Sequence, residues 1–371
     1  MSEFIPVNEP VLDGNEKKYL AQCIDSGWIS SEGPFVRDFE IRFAERVGRK
    51  HGVAVCNGSA ALDAAAAAIR LGAGDEVIMP TFTIISCASA ITRLGATPVL
   101  VDCDPATWNM DPSAIESRVT PKTKAIMVVH LYGLPVNMDP VLDLAKRHNL
   151  RIIEDAAEMI GQTHRGRPCG SFGDLSTFSF YPNKHITTGE GGMIVTDDEA
   201  LAERCRSLRN LCFAPRRFVH EELGWNFRMT NLQAALGLAQ LERLDEFVAR
   251  KRHSFARYMT LLADVGGIRL PVACTEYADN INWVFGVVLD DEVPFDAMGA
   301  MTRLTKLGIG TRPFFWPMHE QPVFRRMGLF ADERYPQAER IARRGFYLPS
   351  GLALTDDQIV RVAEAVRRIL A

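Results

Sequence analysis

Lys184 follows an alternation of small polar and aromatic residues, Ser176-Thr177-Phe178-Ser179-Phe180, that reads as a buried strand. It precedes Thr187-Thr188-Gly189-Glu190-Gly191-Gly192, a turn whose glycines permit backbone angles that other residues resist. A lysine held on a turn beside apolar surface is partly desolvated, which disfavours its ammonium form, and a neutral amine is a nucleophile. That is what a Schiff-base lysine holding an aldehyde cofactor requires. The competing reading is an ordinary surface lysine beside a glycine-rich loop.

Three further segments bear chemistry, each at a strand end or a helix start, where ligands of open α/β sheets sit. Asn57-Gly58-Ser59-Ala60-Ala61-Leu62 turns from a strand into a helix, so its amides can meet a phosphate at a helix N-terminus. Read alone, it is equally a plain cap with Ser59 as N-cap. It is neither a P-loop nor a dinucleotide fingerprint, because it has no lysine after the glycines and no GxGxxG. Ile152-Ile153-Glu154-Asp155-Ala156-Ala157-Glu158 ends a hydrophobic strand on acid. A carboxylate there can pair with a protonated pyridine nitrogen, or it can simply cap the next helix. Gly224-Trp225-Asn226-Phe227-Arg228-Met229-Thr230-Asn231 puts polar Asn226 and Arg228 between aromatic residues, which suits a ligand or a subunit contact. A phosphate cradle, a carboxylate for a ring nitrogen and a Schiff-base lysine are together compatible with a single cofactor, pyridoxal 5′-phosphate.

The elements that must position these residues alternate. Short strands at Val53–Cys56, Glu76–Met79, Thr97–Asp102, Ala125–Val129, Arg151–Glu154, Thr177–Phe180 and Met193–Thr196 are separated by helical stretches such as Ala60–Leu71 and Pro140–Asn149. Near-continuous apolar strands in such an order predict an α/β fold with a mostly parallel sheet covered on both faces. Apolar spacing predicts one long helix from Asn231 to Leu262. The domain junction falls in it, with a large domain over 1–245 and a smaller α+β domain over 246–371. In the latter, Trp283–Leu289 and Ile309–Thr311 read as strands and Phe295–Leu307 and Thr355–Leu370 as helices.

With 371 residues, 47% hydrophobic and 24% charged, the chain has an ordinary globular composition. A net charge of −4 and the lack of a basic stripe argue against nucleic acid. The first residues show neither a basic nor an apolar leader region, and the longest apolar stretch, Ala60–Ile69, is interrupted by Asp63, so the expectation is a cytoplasmic protein without a membrane span. Eight scattered cysteines without CxxC spacing read as buried thiols rather than disulfides or a metal site.

The segments NGSAAL, GAGDEVIMPTFT, GATPVLVD, IIEDAAE, GSFGDLSTFSFYPNKHITTGEGGMIVT and GWNFRMTNLQAALGLAQL, in this order, resemble the DegT/DnrJ/EryC1/StrS family of sugar aminotransferases, and within it the nucleotide-sugar 4-aminotransferases of perosamine type. The resemblance runs from Pro6 to the C-terminal helix. It implies fold type I of the pyridoxal-phosphate enzymes, with a seven-stranded type of sheet, and a homodimer whose active sites lie at the subunit interface. It also implies amination of a keto-sugar, with glutamate as donor, for surface polysaccharide.

Carried over motif by motif, Lys184 is the lysine that binds the aldehyde, and Asp155 partners the pyridine nitrogen. Ser59, Ala60 and Ser179 face the phosphate, Phe82 stacks on the ring, and Asn226 reaches the neighbouring subunit's cofactor. Glu158 stands where many members have glutamine, near the cofactor's phenolic oxygen, so its pKa is expected to be raised. His185 adjoins Lys184, whereas a dehydratase branch replaces the lysine itself with histidine. Retention of Lys184 therefore favours transamination.

On the substrate side, Thr311–His319 resembles the family's sugar-facing loop, with core packing as the competing reading. Arg228 and Arg312 can hold a carboxylate or diphosphate bidentately, and His319 stands at the end of that loop. Arg216 and Arg217 can meet a diphosphate, but solvated surface charges are the simpler reading. His130 and His185 fall near the cofactor by position, and no second ligand at metal spacing accompanies them, so no metal is expected. Other keto- or aldehydo-sugars, including an eight-carbon sugar acid, a sugar dehydratase, and a regulator that binds the cofactor without turnover are the alternative functions.

Overall fold

The computed structural model describes residues 4–216 and 218–371, and Arg217 lies outside the described residues. Two helices, α1 (Glu16–Ser26) and α2 (Pro34–Arg46), lead into β1 (His51–Val55), α3 (Gly58–Ala68), β2 (Glu76–Pro80), α4 (Ile85–Arg93), β3 (Thr97–Val101), β4 (Thr123–Val129), α5 (Met138–His148) and β5 (Arg151–Asp155). A two-residue hairpin, β6 (Thr163–His164) with β7 (Arg167–Pro168), precedes β8 (Leu175–Ser179), β9 (Gly192–Thr196) and α6 (Glu199–Arg209).

Seven of these strands form one sheet in the order β1-β9-β8-β5-β4-β2-β3. Only β9 runs against its neighbours, so the sheet is mostly parallel, as the apolar strand runs predict. Strands such as Ala125–Val129 are buried throughout because helices cover both faces. Helix α3 is rich in alanine and buries eight residues, which lets its backbone lie close to the sheet. A Cβ at Gly58 would sit 2.8 Å from the Ser179 Cβ. That close approach brings the N-terminus of α3 to the end of β8.

The expected long helix is two, α7 (Asn231–Leu241) and α8 (Leu244–Leu262). The Arg243 amide bonds to the Gln240 carbonyl in a tightened turn, and the Arg243 side chain pairs with Asp13 and Glu246. Neither glycine nor proline marks the break, so the apolar spacing runs through it. Helix α7 starts at a capping box, Thr230 with Gln233. Asn231, read as a possible cap, instead clamps the N-terminal region, accepting from the Phe35 amide and donating to the Trp28 carbonyl.

The remaining elements are β10 (Ile268–Arg269), β11 (Phe285–Leu289), α9 (Ala297–Lys306), β12 (Arg312–Pro313), α10 (Pro322–Arg326), α11 (Pro336–Arg344), β13 (Gly345–Leu348) and α12 (Asp356–Leu370). They build an antiparallel sheet in the order β10-β11-β13-β12. The strand expected over Ile309–Thr311 is displaced: Ile309 makes only an isolated bridge to Ile5, and pairing begins at Arg312. All eight cysteines are free and six are buried. Among the described residues no helix is long and apolar enough to cross a membrane.

Candidate active site

A cavity of about 740 Å³ opens at the carboxyl ends of the sheet strands and is lined by Lys184, Asp155, Glu158, Ser59, Ser179 and Arg312 among others. The turn carrying Lys184 is held by its own backbone. The Lys184 amide bonds to the Tyr181 carbonyl, Phe180 pairs with Gly191 and Thr188, and Gly189 takes φ +78 to close the loop. The Lys184 side chain is 10% exposed. Its Nζ lies 3.9 Å from Glu158 Oε1 and 3.9 Å from the centre of the Trp283 ring. Burial pushes the Lys184 pKa down, against the pull of Glu158 and Asp155, which favours the neutral amine that nucleophilic use needs.

Asp155 is the last residue of β5 and is buried. One oxygen accepts from the Ala157 amide at 3.1 Å and the other from the Cys87 thiol at 3.3 Å. Burial raises its pKa despite these bonds. Glu158 accepts from the Tyr132 amide at 2.6 Å. Tyr132 itself sits at φ +55, a left-handed conformation that an aromatic residue adopts only under constraint. The Glu158 pKa is raised, as expected, and the causes within this chain are burial and Asp155, opposed by Lys184.

Strand alternation sends the adjacent Glu154 to the opposite face of β5 from Asp155. There it accepts from the amides of Gly170, Phe172 and Gly173 and from Ser176 Oγ. His130 Nε2 is 3.1 Å away, and His130 Nδ1 accepts from the Val136 amide, which leaves Nε2 to donate. Burial raises the Glu154 pKa, but the bonds from His130, Gly170 and Phe172 outweigh it and hold it at about 2.

A folded pKa below the unfolded one stabilises above the unfolded value, and that stability is lost as pH falls through the folded value. Glu154→Gln is therefore expected to cost about 3 kcal/mol at pH 7. The gap from the parent protein should narrow between about pH 5 and pH 2. Urea melts at pH 7 and pH 3.5 check this, and an equal gap at both would mean the ionised carboxylate is not its source.

At the N-terminus of α3, Asn57, not Ser59, is the cap, with Asn57 Oδ1 accepting from the Ala60 amide at 2.8 Å. This corrects the expectation for Ala60, whose N–H is already taken and which does not line the cavity. Among the described residues, nothing accepts from the Gly58 and Ser59 amides of the first turn. Ser59 Oγ bonds Ser86 Oγ at 2.7 Å, and Ser179 lines the same mouth.

Phe82 is also placed differently from expectation. It is fully buried behind the wall, packed on Tyr132, Phe314 and Phe315, and is not among the lining residues. His319 is buried as well, bonded to Thr81 Oγ1 at 2.8 Å and Glu339 at 3.2 Å, away from the cavity. The core-packing reading holds for it. His319 does lie close to Glu320 and Glu339, but Arg334 pairs with Glu339 and Arg343 with Glu320, so both carboxylates already have counter-charges. The His185 ring is fully buried and does not line the cavity, whereas His130 does.

Arg228 lines a second cavity of about 770 Å³ with Trp28, Arg206 and Arg209, and donates to Asn210 Oδ1 at 2.6 Å. Asn226 bridges to Asn210 through its backbone. Neither reaches the Lys184 cavity within one chain. Arg312 does line it.

Sequence reading missed Trp283, Tyr132, Thr177 and Tyr347 in the cavity wall and gave Asn57 no role of its own within its segment. The Tyr132-Gly133 turn and the Asn before Gly58 were available as signals. Trp283 had none, because strand pairing brings it there from far along the chain.

The arrangement fits pyridoxal phosphate on its own terms. It offers a buried carboxylate without a cation in hydrogen-bonding contact, an amine driven toward neutrality, and helix amides at the opposite end. Among the described residues, Thr177 Oγ1 and Asn183 Oδ1 are buried in the wall without a hydrogen-bond partner.

The model of the DegT/DnrJ/EryC1/StrS aminotransferase family matches residues 10–367. The GDP-perosamine synthase of Caulobacter vibrioides is 46% identical over 369 residues, covering 99% of this chain and 98% of that protein. The GDP-perosamine synthase of Escherichia coli O157:H7 is 41% identical over 379 residues, covering 98% of each. The crystal structure of the aminotransferase TlmJ from Streptoalloteichus hindustanus superposes with a TM-score of 0.92 at 31% identity, covering 99% of this chain and 98% of that one.

Proposed function

The chain belongs to the DegT/DnrJ/EryC1/StrS aminotransferase family and is a pyridoxal-phosphate-dependent sugar aminotransferase, and from that premise we propose that it aminates a nucleotide-linked 4-keto-6-deoxyhexose. Glutamate is the amino donor in this reading, and the amino sugar serves a surface polysaccharide such as an O-antigen. The observation that carries the reading is the convergence of Lys184, Asp155 and Glu158 on one cavity whose far end is the first turn of α3. The two GDP-perosamine synthases matching end to end support the substrate class.

When bound, pyridoxal phosphate supplies an aldehyde that joins an amine and a ring that accepts an electron pair. Lys184 would hold that aldehyde, and its Nζ, once released, would take a proton from the donor's α-carbon and, in the reverse sense, deliver one to the sugar carbon that gains the amino group. Asp155 would hold the ring nitrogen; the Ala157 and Cys87 bonds leave its burial uncompensated, so its charge gains most from a proton facing it, which favours a protonated ring. The Gly58 and Ser59 amides with the Ser59 and Ser179 hydroxyls would hold the phosphate. Glu158, kept in place by the Tyr132 amide, stands beside Lys184 as a second proton carrier. Arg312 is placed to meet an anionic part of the substrate.

Two copies sharing their active sites account for Asn226 and Arg228, which lie outside the chain's own cavity. The exposed Trp28, Ile29 and Ile84 supply apolar surface for such a dimer. Eight free thiols suit the reducing cytoplasm.

Incubation with pyridoxal phosphate, glutamate and a panel of nucleotide-linked 4-ketosugars, followed by mass analysis, tests the substrate. Amination of a GDP-linked or other nucleotide-linked 4-ketosugar is the expected result. Turnover only of free sugars or sugar acids would contradict the proposal. Shared sites are tested by mixing Lys184→Ala with Asn226→Ala subunits. Partial activity should return in the mixture, and none would return if each chain works alone.

A further inference from the structure

We propose that Trp283 is a positioning residue for this site, its indole face seating the Lys184 amine while its ring nitrogen and backbone tie the Lys184 turn to the second sheet. Trp283 lies just before β11, yet its ring lines the cavity. Lys184 Nζ stands 3.9 Å from the ring centre, within the range in which an ammonium is attracted to the π-face. Among the described residues Nζ makes no hydrogen bond, so the ring and Glu158 are what locate it.

The indole Nε1–H donates to the Asn183 carbonyl at 2.8 Å, one residue before Lys184. One tryptophan thus grips both the backbone and the side chain of the reactive turn. Its own position is held from three sides. Lys251, buried in α8, donates to the Trp283 carbonyl at 2.9 Å and also to the Ser350 carbonyl. The Tyr132 ring lies nearly parallel to the indole, 7° off plane with centroids 6.1 Å apart. Gly133 approaches so closely that a Cβ there would meet the Trp283 backbone nitrogen at 2.6 Å. Asn282, immediately before it, takes φ +55 to aim the indole inward. The ring face favours the ammonium, while burial favours the amine. Trp283 therefore sets both where Nζ sits and how readily it sheds its proton.

The inference rests on Lys184 being the reacting amine, and the test separates the two. In the full chain without cofactor, the pH dependence of Lys184 labelling by fluorodinitrobenzene, read by peptide mass mapping, reports its titration. Trp283→Leu is expected to lower that midpoint by about half to one pH unit. In the loaded enzyme it should cut kcat by roughly 10- to 100-fold, with KM for the amino donor nearly unchanged. Trp283→Phe, which keeps a ring face, should restore the midpoint and part of kcat. An unchanged or higher midpoint in Trp283→Leu, or a loss carried by KM, would overturn the role of Trp283. If Trp283→Leu does not fold, Trp283→Met carries the same comparison. Borohydride reduction in the presence of pyridoxal phosphate tests Lys184 separately, so a reduced adduct on Lys184 with an unmoved midpoint would remove only Trp283.

Discussion

Lys184→Ala is expected to lower turnover by on the order of 10⁴-fold or more while leaving the apo protein folded. The variant loses both the amine that would hold the aldehyde and the base that moves the proton, two roles that no neighbour can assume. Lys251 is the nearest buried alternative. Burial and the Lys184 charge bring its pKa down to about 7, but its Nζ is tied to the Trp283 and Ser350 carbonyls and does not line the cavity. Alanine at 184 creates little strain, because the turn is held by backbone bonds from Phe180, Lys184 and Thr188 that do not involve the side chain. Initial rates with saturating donor, beside a thermal melt of the apo protein, check this. Turnover near the parent rate would remove Lys184 from the chemistry.

The second large effect is expected at Asp155. Asp155→Asn should reduce turnover by on the order of 10²- to 10³-fold, with a melting temperature close to the parent's. Asparagine keeps an oxygen for the Ala157 amide, so the local turn survives. What it loses is the charge that a protonated ring would face. Burial makes that charge costly here, which is why it counts for more than an exposed carboxylate would. Steady-state kinetics alongside far-UV circular dichroism separate the two readings. Unchanged kinetics would assign Asp155 to structure alone.

Much of this site was legible because its parts are local. The run Ile152-Ile153-Glu154-Asp155 places a carboxylate at a strand end, where the sheet of an α/β fold presents its ligands. The Lys184 turn announces itself through its glycines, and Gly189 does adopt the left-handed conformation. Which of two adjacent acids faces the cavity follows from strand alternation: Asp155 points to it, while Glu154 turns to the loop at Gly170–Gly173.

The illegible parts depend on long-range contact. Trp283 reaches Lys184 only because β11 and β13 pair and Lys251 anchors the segment before β11. His319 looked available in a polar-aromatic loop, yet Thr81, more than two hundred residues earlier, takes its Nδ1 and fixes it in the core. Phe82 and Ala60 show the same limit at shorter range. Aromatic packing in one case and an Asn cap in the other consume groups that a linear motif leaves open. The break at Arg243 escaped for a different reason, since a tightened turn satisfied by ion pairs leaves no glycine or proline behind.

Borohydride reduction of the protein loaded with pyridoxal phosphate, followed by proteolysis and mass mapping, addresses the central assignment directly. A phosphopyridoxyl mass on the peptide containing Lys184, absent when glutamate is added beforehand, is the outcome expected. Label on Lys251 or on any other lysine, or no stable label, would contradict it.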